Sequence, residues 1–280
     1  MNNAKRSYFL ISTTCFGLAF LYIPMIMLVI YSFNYSKIVP VWGGFSTRWY
    51  GVLFESEEVW TSVALSLKIA TVNACFATLL GTLAGLALVR FGRFKGRTIF
   101  SGMITAPLVM PEVITGLSLL LMFITLKEFI GWPDKRGFST ITIAHITFSM
   151  AYVAVIIQSR LAGMAQDLEE AAQDLGAKPF RVLTDITLPL LAPGMVAGWL
   201  LSFTLSLDDL IIASFVSGPG SVTLPMLIYS RVRLGLRPDI NALATIIILV
   251  VAIGVLIAAW IMFRQQKQRQ LDQQLTFDEK

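Results

Sequence analysis

Asp208 and Asp209 stand side by side in an otherwise apolar stretch, SFTLSLDDLIIASF at Ser202–Phe215. At a bilayer centre each charge costs about 2.5–3.5 kcal/mol on insertion scales, so the pair would cost roughly 5–7 kcal/mol without a partner or water. At about 100° per residue, Asp209 falls on the face of Ser202 and Ser206, whereas Asp208 shares its side with Thr204 and Leu201. Asp209 therefore ends a polar stripe and is the first candidate to face a pathway, with Asp208 holding a neighbouring helix. The alternative puts both at the solvated outer end of a tilted helix. A third acid, Glu112, follows Pro107 and Pro111, which interrupt the backbone ladder and predict a kink, so that a carboxylate and a freed carbonyl share one depth. A helix bend near an interface accounts for Glu112 equally well. The one histidine, His145, reads as a packed or hydrogen-bonded helix residue. Cys15 and Cys75 offer neither a disulfide framework nor zinc-ligand spacing.

The 280-residue chain that carries these groups is 56% apolar and only 14% charged, with a mean hydropathy of +0.73. Soluble domains run about 45–50% apolar and about 25% charged, which excludes an ordinary water-soluble enzyme. A helix crossing a hydrocarbon core needs about 20 mostly apolar residues. Six runs qualify: Tyr8–Tyr31, Val59–Val89, Ile99–Leu126, Ile141–Gln158, Leu190–Val216 and Ala242–Phe263. They do not alternate as barrel strands would. The expected fold is an all-α integral membrane protein with six transmembrane helices and both termini cytoplasmic. The charges agree, most clearly in the short loop RFGRFKGR, where Arg90, Arg93, Lys95 and Arg97 have no acid among them. A net charge of +5 does not point to nucleic acid, because the basic residues flank apolar runs and form no aromatic-interleaved patch. Lys5 and Arg6 precede a long run without an A-x-A exit, which predicts a retained first helix. Trp42, Trp49, Tyr50 and Trp60 are expected as interface anchors, with partner docking as the alternative.

Organisation follows as a first helix and outer loop over 1–58, a five-helix core over 59–263 and a cytoplasmic tail over 264–280. Gly81 and Gly85 form a small-xxx-small pair that lets two helix backbones approach closely. Gly218-Pro219-Gly220 forces a turn after the fifth span. Met226–Leu236 beyond it predicts a short outer helix, with Arg231, Arg233 and Arg237 facing water or a partner.

Between the fourth and fifth spans, RLAGMAQDLEEAAQDLGAKPFRVLTDITL at Arg160–Leu188 is charged, Ala-rich and helix-prone up to Gly176. Gly176 can take the positive φ that ends a helix, and Pro179 suits the first position of the next. Two short helices meeting at Gly176 would make a rigid knuckle, with Ala171 and Ala172 permitting close approach and Glu170 offering a charge.

Glu170-Ala171-Ala172, three residues, Gly176, nine residues, then Ile186-x-Leu188-Pro189 resembles in full the EAA pattern of ABC-importer membrane subunits, the binding-protein-dependent permeases. The six-span layout extends the resemblance over nearly the whole chain. SLDDLIIASFVSGPG at Ser206–Gly220, TAPLVMPEVITGLSLLL at Thr105–Leu121 and PDINALAT at Pro238–Thr245 look like the putrescine/spermidine branch, in particular its second permease subunit. The resemblance implies a type I importer in the bacterial inner membrane: two permease subunits forming a heterodimer, a cytoplasmic ATPase dimer and a periplasmic polyamine-binding protein. It assigns Glu170, Ala171, Ala172, Gly176, Ile186, Leu188 and Pro189 to the ATPase contact.

No G-x-x-x-x-G-K-[ST] occurs, so ATP and Mg²⁺ are expected on the partner ATPase, with no cofactor or metal bound by this chain. Putrescine and spermidine carry amines with pKa values near that of Lys, about 10.4, and enter as a dication and a trication. They call for carboxylates at their ends and aromatic or apolar walls along their methylenes. Asp208, Asp209 and Glu112 are candidates for the first, and Tyr152, Trp199 and Phe203 for the second, although these rings serve helix packing equally well. Alternatives are a same-family importer for another small solute, an ion-coupled secondary transporter, and a membrane receptor or scaffold.

Overall fold

The computed structural model describes residues 2–37, 41–235 and 238–278. In order, its helices are α1 (Asn2–Ser32), α2 (Arg48–Phe54), α3 (Glu57–Arg90), α4 (Arg97–Val109), α5 (Glu112–Ile130), α6 (Phe138–Ala162), α7 (Asp167–Asp174), α8 (Pro179–Val182), α9 (Leu188–Asp208), α10 (Ile211–Val216), α11 (Leu224–Leu234) and α12 (Pro238–Asp278). A π-helical turn at Leu183–Thr187 joins α8 to α9. Among the described residues there is no strand, only an isolated bridge between Asn34 and Phe45. Six helices are long and apolar enough to cross a membrane: Tyr8–Ser32, Glu57–Arg90, Glu112–Ile130, Phe138–Ala162, Pro179–Asp208 and Pro238–Ile261. The all-α, six-span expectation is met. Arg237 and Lys280, two of the chain's cations, lie outside the described residues.

Two expected spans are broken. The sequence predicts one kinked helix over Ile99–Leu126 for the third, but α4 ends at Val109 and the crossing helix is Glu112–Ile130. A residue before proline is driven out of the α region, and Met110 takes φ −75°, ψ 134°, followed by Pro111 at φ −57°, ψ 135°. The fifth, expected to run unbroken to Val216, stops at Asp208, because Asp209 adopts ψ 122° before α10 begins.

By packing, the chain divides into Met1–Glu57 with Ser230–Lys280, and Glu58–Tyr229. The last span thus groups with the first, and not with the other four of the five-helix core expected over 59–263. In the first unit α12 packs on α1 and α2. Trp49, expected as an interface anchor, is instead buried and donates its indole N–H to the Asn34 carbonyl at 2.7 Å. Tyr50 pairs its hydroxyl with Ser32 at 2.8 Å. Trp42 is exposed. Arg231 was expected to face water or a partner but forms a 2.8 Å ion pair with Asp239 in the first turn of α12, both largely buried.

In the second unit α3, α6 and α9 make the inner layer. A Cβ built on Gly81 would lie 2.6 Å from Val153 Cβ, and one on Gly85 would lie 2.8 Å from Ile157 Cγ2. The small-xxx-small pair therefore serves the close approach of α3 to α6. Gly198 of α9 meets Val153 from the other side, at 3.2 Å for a built Cβ. Toward the outer end, Phe123 and Leu119 of α5 pack with Ile141 and Ala144 of α6 and with Ile212, Ala213 and Val216 of α10.

Candidate functional site

The helix break at Asp209 creates the outer part of the site. Its Oδ2 accepts the Ala213 N–H at 2.7 Å, and its Oδ1 accepts the Ile212 N–H at 3.3 Å. A carboxylate in this position satisfies amides that the start of α10 would otherwise leave without acceptors. His145 Nε2 lies 3.1 Å from the same Oδ2, and its Nδ1 lies 2.7 Å from Ser206 Oγ. The imidazole, 3% exposed, thus bridges the last full turn of α9 to the residue at the break. With the carboxylate ionised, Nε2 donates to it. The Ser206 hydroxyl donates to Nδ1 of a neutral ring or accepts from a charged one. The expectation of a hydrogen-bonded His145 is met, and its partners place it within the acidic site. At a rise of about 1.5 Å per residue, His145 lies roughly 10 Å along α6 from Phe138.

Asp208 differs from its neighbour. It is exposed, and no cation pairs with it among the described residues. Glu112, also exposed, opens α5. One turn later Gly116 rests against Ile212 and Phe215, at 3.4 Å and 2.8 Å for a built Cβ. Glu112 lies one turn before Gly116 on the same face, and the aspartates lie just before Ile212, so the three acids gather at one end of the α5–α10 contact.

The aromatic candidates separate into two pairs. Trp199 and Phe203 stack at 5.2 Å with an interplanar angle of 11°, and the indole N–H reaches Cys75 Sγ of α3 at 3.4 Å. Tyr152 pairs edge-on with Phe148 of its own helix at 5.2 Å. On α9, Trp199 is rotated by about 180° from Asp208, and Phe203 by about 140°. The stacked pair faces α3 and does not share a wall with Asp208. Missed in the sequence was a polar pin below the acids: Asn73 of α3 donates to Ser149 Oγ of α6 at 3.2 Å and to the Ser202 carbonyl of α9 at 2.9 Å. A lone Asn in an apolar run gives no indication of which helices it will join.

The second part of the site is the knuckle. Gly176 has φ +87°, Lys178 is extended and Pro179 begins the next helix, as the sequence predicts. The segment after Gly176 is not a short separate helix, since it runs through the π turn into one 30-residue span ending at Asp208. Pro189 lacks the N–H for an ordinary turn, and the wider π turn lies directly ahead of it. Glu170, Ala171 and Gly176 are exposed, Ala172, Ile186 and Leu188 are half-buried, and Pro189 is exposed. Leu175 is 90% and Phe180 74% exposed, and Leu175 lines a cavity of about 520 Å³ together with Gly176, Lys178, Arg181 and Asp185. Glu169, beside the motif, turns inward: its Oε1 accepts from Arg90 Nη2 at 3.2 Å and from Thr187 Oγ1 at 2.8 Å. This pairing puts the basic Arg90–Arg97 loop and the knuckle at the same end of the bundle.

Residues 77–269 match the family described as binding-protein-dependent transport system inner membrane component. Over 271 residues, 96% of both chains, the sequence is 58% identical to the putrescine transport system permease protein PotI of Escherichia coli strain K12. It is 42% identical over 248 residues to the spermidine/putrescine transport system permease protein PotC of the same strain, covering 89% of this chain and 91% of the relative. A chain from the crystal structure of a bacterial alginate ABC transporter in complex with an alginate pentasaccharide-bound periplasmic protein superposes with a TM-score of 0.70 at 19% identity, over 92% of this chain and 93% of that one.

Proposed function

The chain belongs to the binding-protein-dependent transport system inner membrane components, and on that premise we propose that it is the permease subunit of an ATP-driven importer that carries a polyamine, putrescine or spermidine, across the bacterial inner membrane. The observation that carries the substrate class is the 58% identity to a putrescine permease over 96% of both chains. The three acids gathered at the α5–α10 contact support it, because a dication needs anionic groups and an unpaired carboxylate such as Asp208 is available to an ammonium.

ATP hydrolysis belongs to a separate cytoplasmic ATPase dimer, which supplies its own Mg²⁺. A second permease subunit completes a heterodimer, and a periplasmic binding protein delivers the solute. The knuckle enters the ATPase through Glu170, Ala171, Ala172 and Gly176, with Ile186, Leu188 and Pro189 at the root of the helix that carries the movement inward. Closure of the ATPase on ATP moves the knuckle, and the 30-residue helix beginning at Pro179 transmits that movement toward Asp208. Asp208 and Glu112 meet the passing ammonium groups, Asp209 holds the break between α9 and α10, Tyr152 contributes a wall, and Trp199 with Phe203 steadies α9 against α3.

The test is ATP-dependent accumulation of radiolabelled putrescine in proteoliposomes holding the complete complex and its binding protein. Excess putrescine or spermidine should suppress uptake, and amino acids or disaccharides should not. Accumulation driven by an ion gradient without ATP, or uptake indifferent to polyamines, overturns the reading.

A further inference from the structure

Glu169 is the one acid of the first turn of α7 that turns away from the knuckle's free surface. Asp167 and Glu170 are exposed, whereas the Glu169 side chain is only 14% exposed and its partner Arg90 only 13%. Its Oε1 serves two donors on two different membrane helices. Arg90 is the last residue of α3, and Thr187 closes the π turn that leads into α9. A single carboxylate oxygen thus ties the knuckle to the inner ends of α3 and of the Pro179–Asp208 span. Charge-assisted bonds of low exposure are stronger and more directional than surface ion pairs, and removing one partner leaves the other charge poorly solvated.

The surrounding packing gives this tie a mechanical consequence. Gly81 and Gly85 of α3 lie close against Val153 and Ile157 of α6, and Gly198 of α9 lies close to Val153, so the three helices are in direct contact at one level. Continuity through the π turn alone would carry a displacement of α7 and α8 into α9. The Arg90 bond adds α3, and through the glycine contacts it adds α6. We infer that Glu169, held by Arg90 and Thr187, is a positioning residue for transport: it makes the knuckle and the α3–α6–α9 layer move as one body, so that work done by the ATPase reaches the solute path. This inference rests on the reading of the chain as an ATP-driven permease, and it concerns how tightly hydrolysis is coupled to transport, not which solute is carried.

The experiment compares Glu169→Gln, Thr187→Val and the charge exchange Arg90→Glu/Glu169→Arg with the unmodified protein, each in the complete complex in proteoliposomes. Putrescine accumulated and ATP hydrolysed are measured in the same vesicles, and retained ATPase is checked by co-purification. Glu169→Gln should keep the ATPase bound and hydrolysing, while solute moved per ATP falls about fivefold or more, the lower range of coupling between linked sites. Thr187→Val should lower the ratio less, and the charge exchange should recover part of what Glu169→Gln loses.

An unchanged ratio in Glu169→Gln overturns the inference, as does a parallel fall of transport and hydrolysis, which marks a purely structural role. If Glu169→Gln does not assemble, Thr187→Val decides on the same criterion, since it removes one bond and leaves the ion pair. Failure of the functional reading looks different: the unmodified complex itself accumulates no putrescine with ATP.

Discussion

Asp208 and Asp209 are adjacent in sequence and opposite in circumstance. Asp209 caps α10 and holds His145, whereas Asp208 is exposed and unpaired by any cation among the described residues. A residue on the path and a residue at a structural joint give different signatures when changed. Asp208→Asn should cut putrescine uptake while leaving basal ATPase activity and thermal stability nearly untouched. Asp209→Asn, which keeps an acceptor for the α10 amides, should disturb the joint less than Asp209→Ala. Asp209→Ala should destabilise the subunit, by about 0.5–2 kcal/mol for the lost cap and about 1–3 kcal/mol for the donor left on His145. For a chain of this size each kcal/mol lowers Tm by about 2–4 °C, within reach of a fluorescence melt of the purified complex. A melt unchanged by Asp209→Ala would contradict the joint, and normal uptake in Asp208→Asn would remove that residue from the path. Both acids stand out in sequence because charge in hydrocarbon is conspicuous. Their division of labour does not, because it depends on a backbone break that no side-chain pattern announces.

Helices are legible where hydrophobic length alone decides them. Four of the six expected runs lie on helices that cross without interruption, since about 20 apolar residues in lipid have no alternative to a helix. The two misread runs contain local backbone decisions. Pro111 forces Met110 out of the helical region, and Asp209 competes for the amides of Ile212 and Ala213. Hydropathy registers neither. Gly81, by contrast, is legible in sequence as a point of close approach, and the distances make it testable. A Val there would place its Cβ 2.6 Å from Val153 and 2.8 Å from the Met150 carbonyl, so α3 and α6 would have to separate. Overpacking of this kind costs about 1–3 kcal/mol, so Gly81→Val should lower Tm and the yield of assembled complex. Gly102→Ala, where nothing lies within 4 Å, is the control and should be neutral or slightly stabilising. Equal behaviour of the two variants would mean that the glycine contact does not govern the packing of α3 on α6.

The exposed knuckle and the acidic gathering are joined by one continuous helical span from Pro179 to Asp208, which at about 1.5 Å per residue extends roughly 44 Å. In the proposed mechanism the ATPase grips this rod at the knuckle, whose surface is open. Leu175 and Phe180 stand free, Ala171 presents no bulk, and Glu170 offers a charge that this chain does not neutralise among the described residues. The turn at Gly176 and the new helix start at Pro179 are legible in the sequence, whereas the inward grip through Glu169 is hidden, because neither Arg90 nor Thr187 is near it in sequence. A reversed charge at Glu170 separates gripping from folding, since the side chain is exposed and loses no ion pair among the described residues. Glu170→Lys should insert in the membrane in normal amount and melt at an unchanged temperature, yet fail to retain the ATPase on co-purification or retain it without transport. If this variant binds the ATPase and drives putrescine uptake at the unmodified rate, the ATPase does not take its hold on the bundle at this surface.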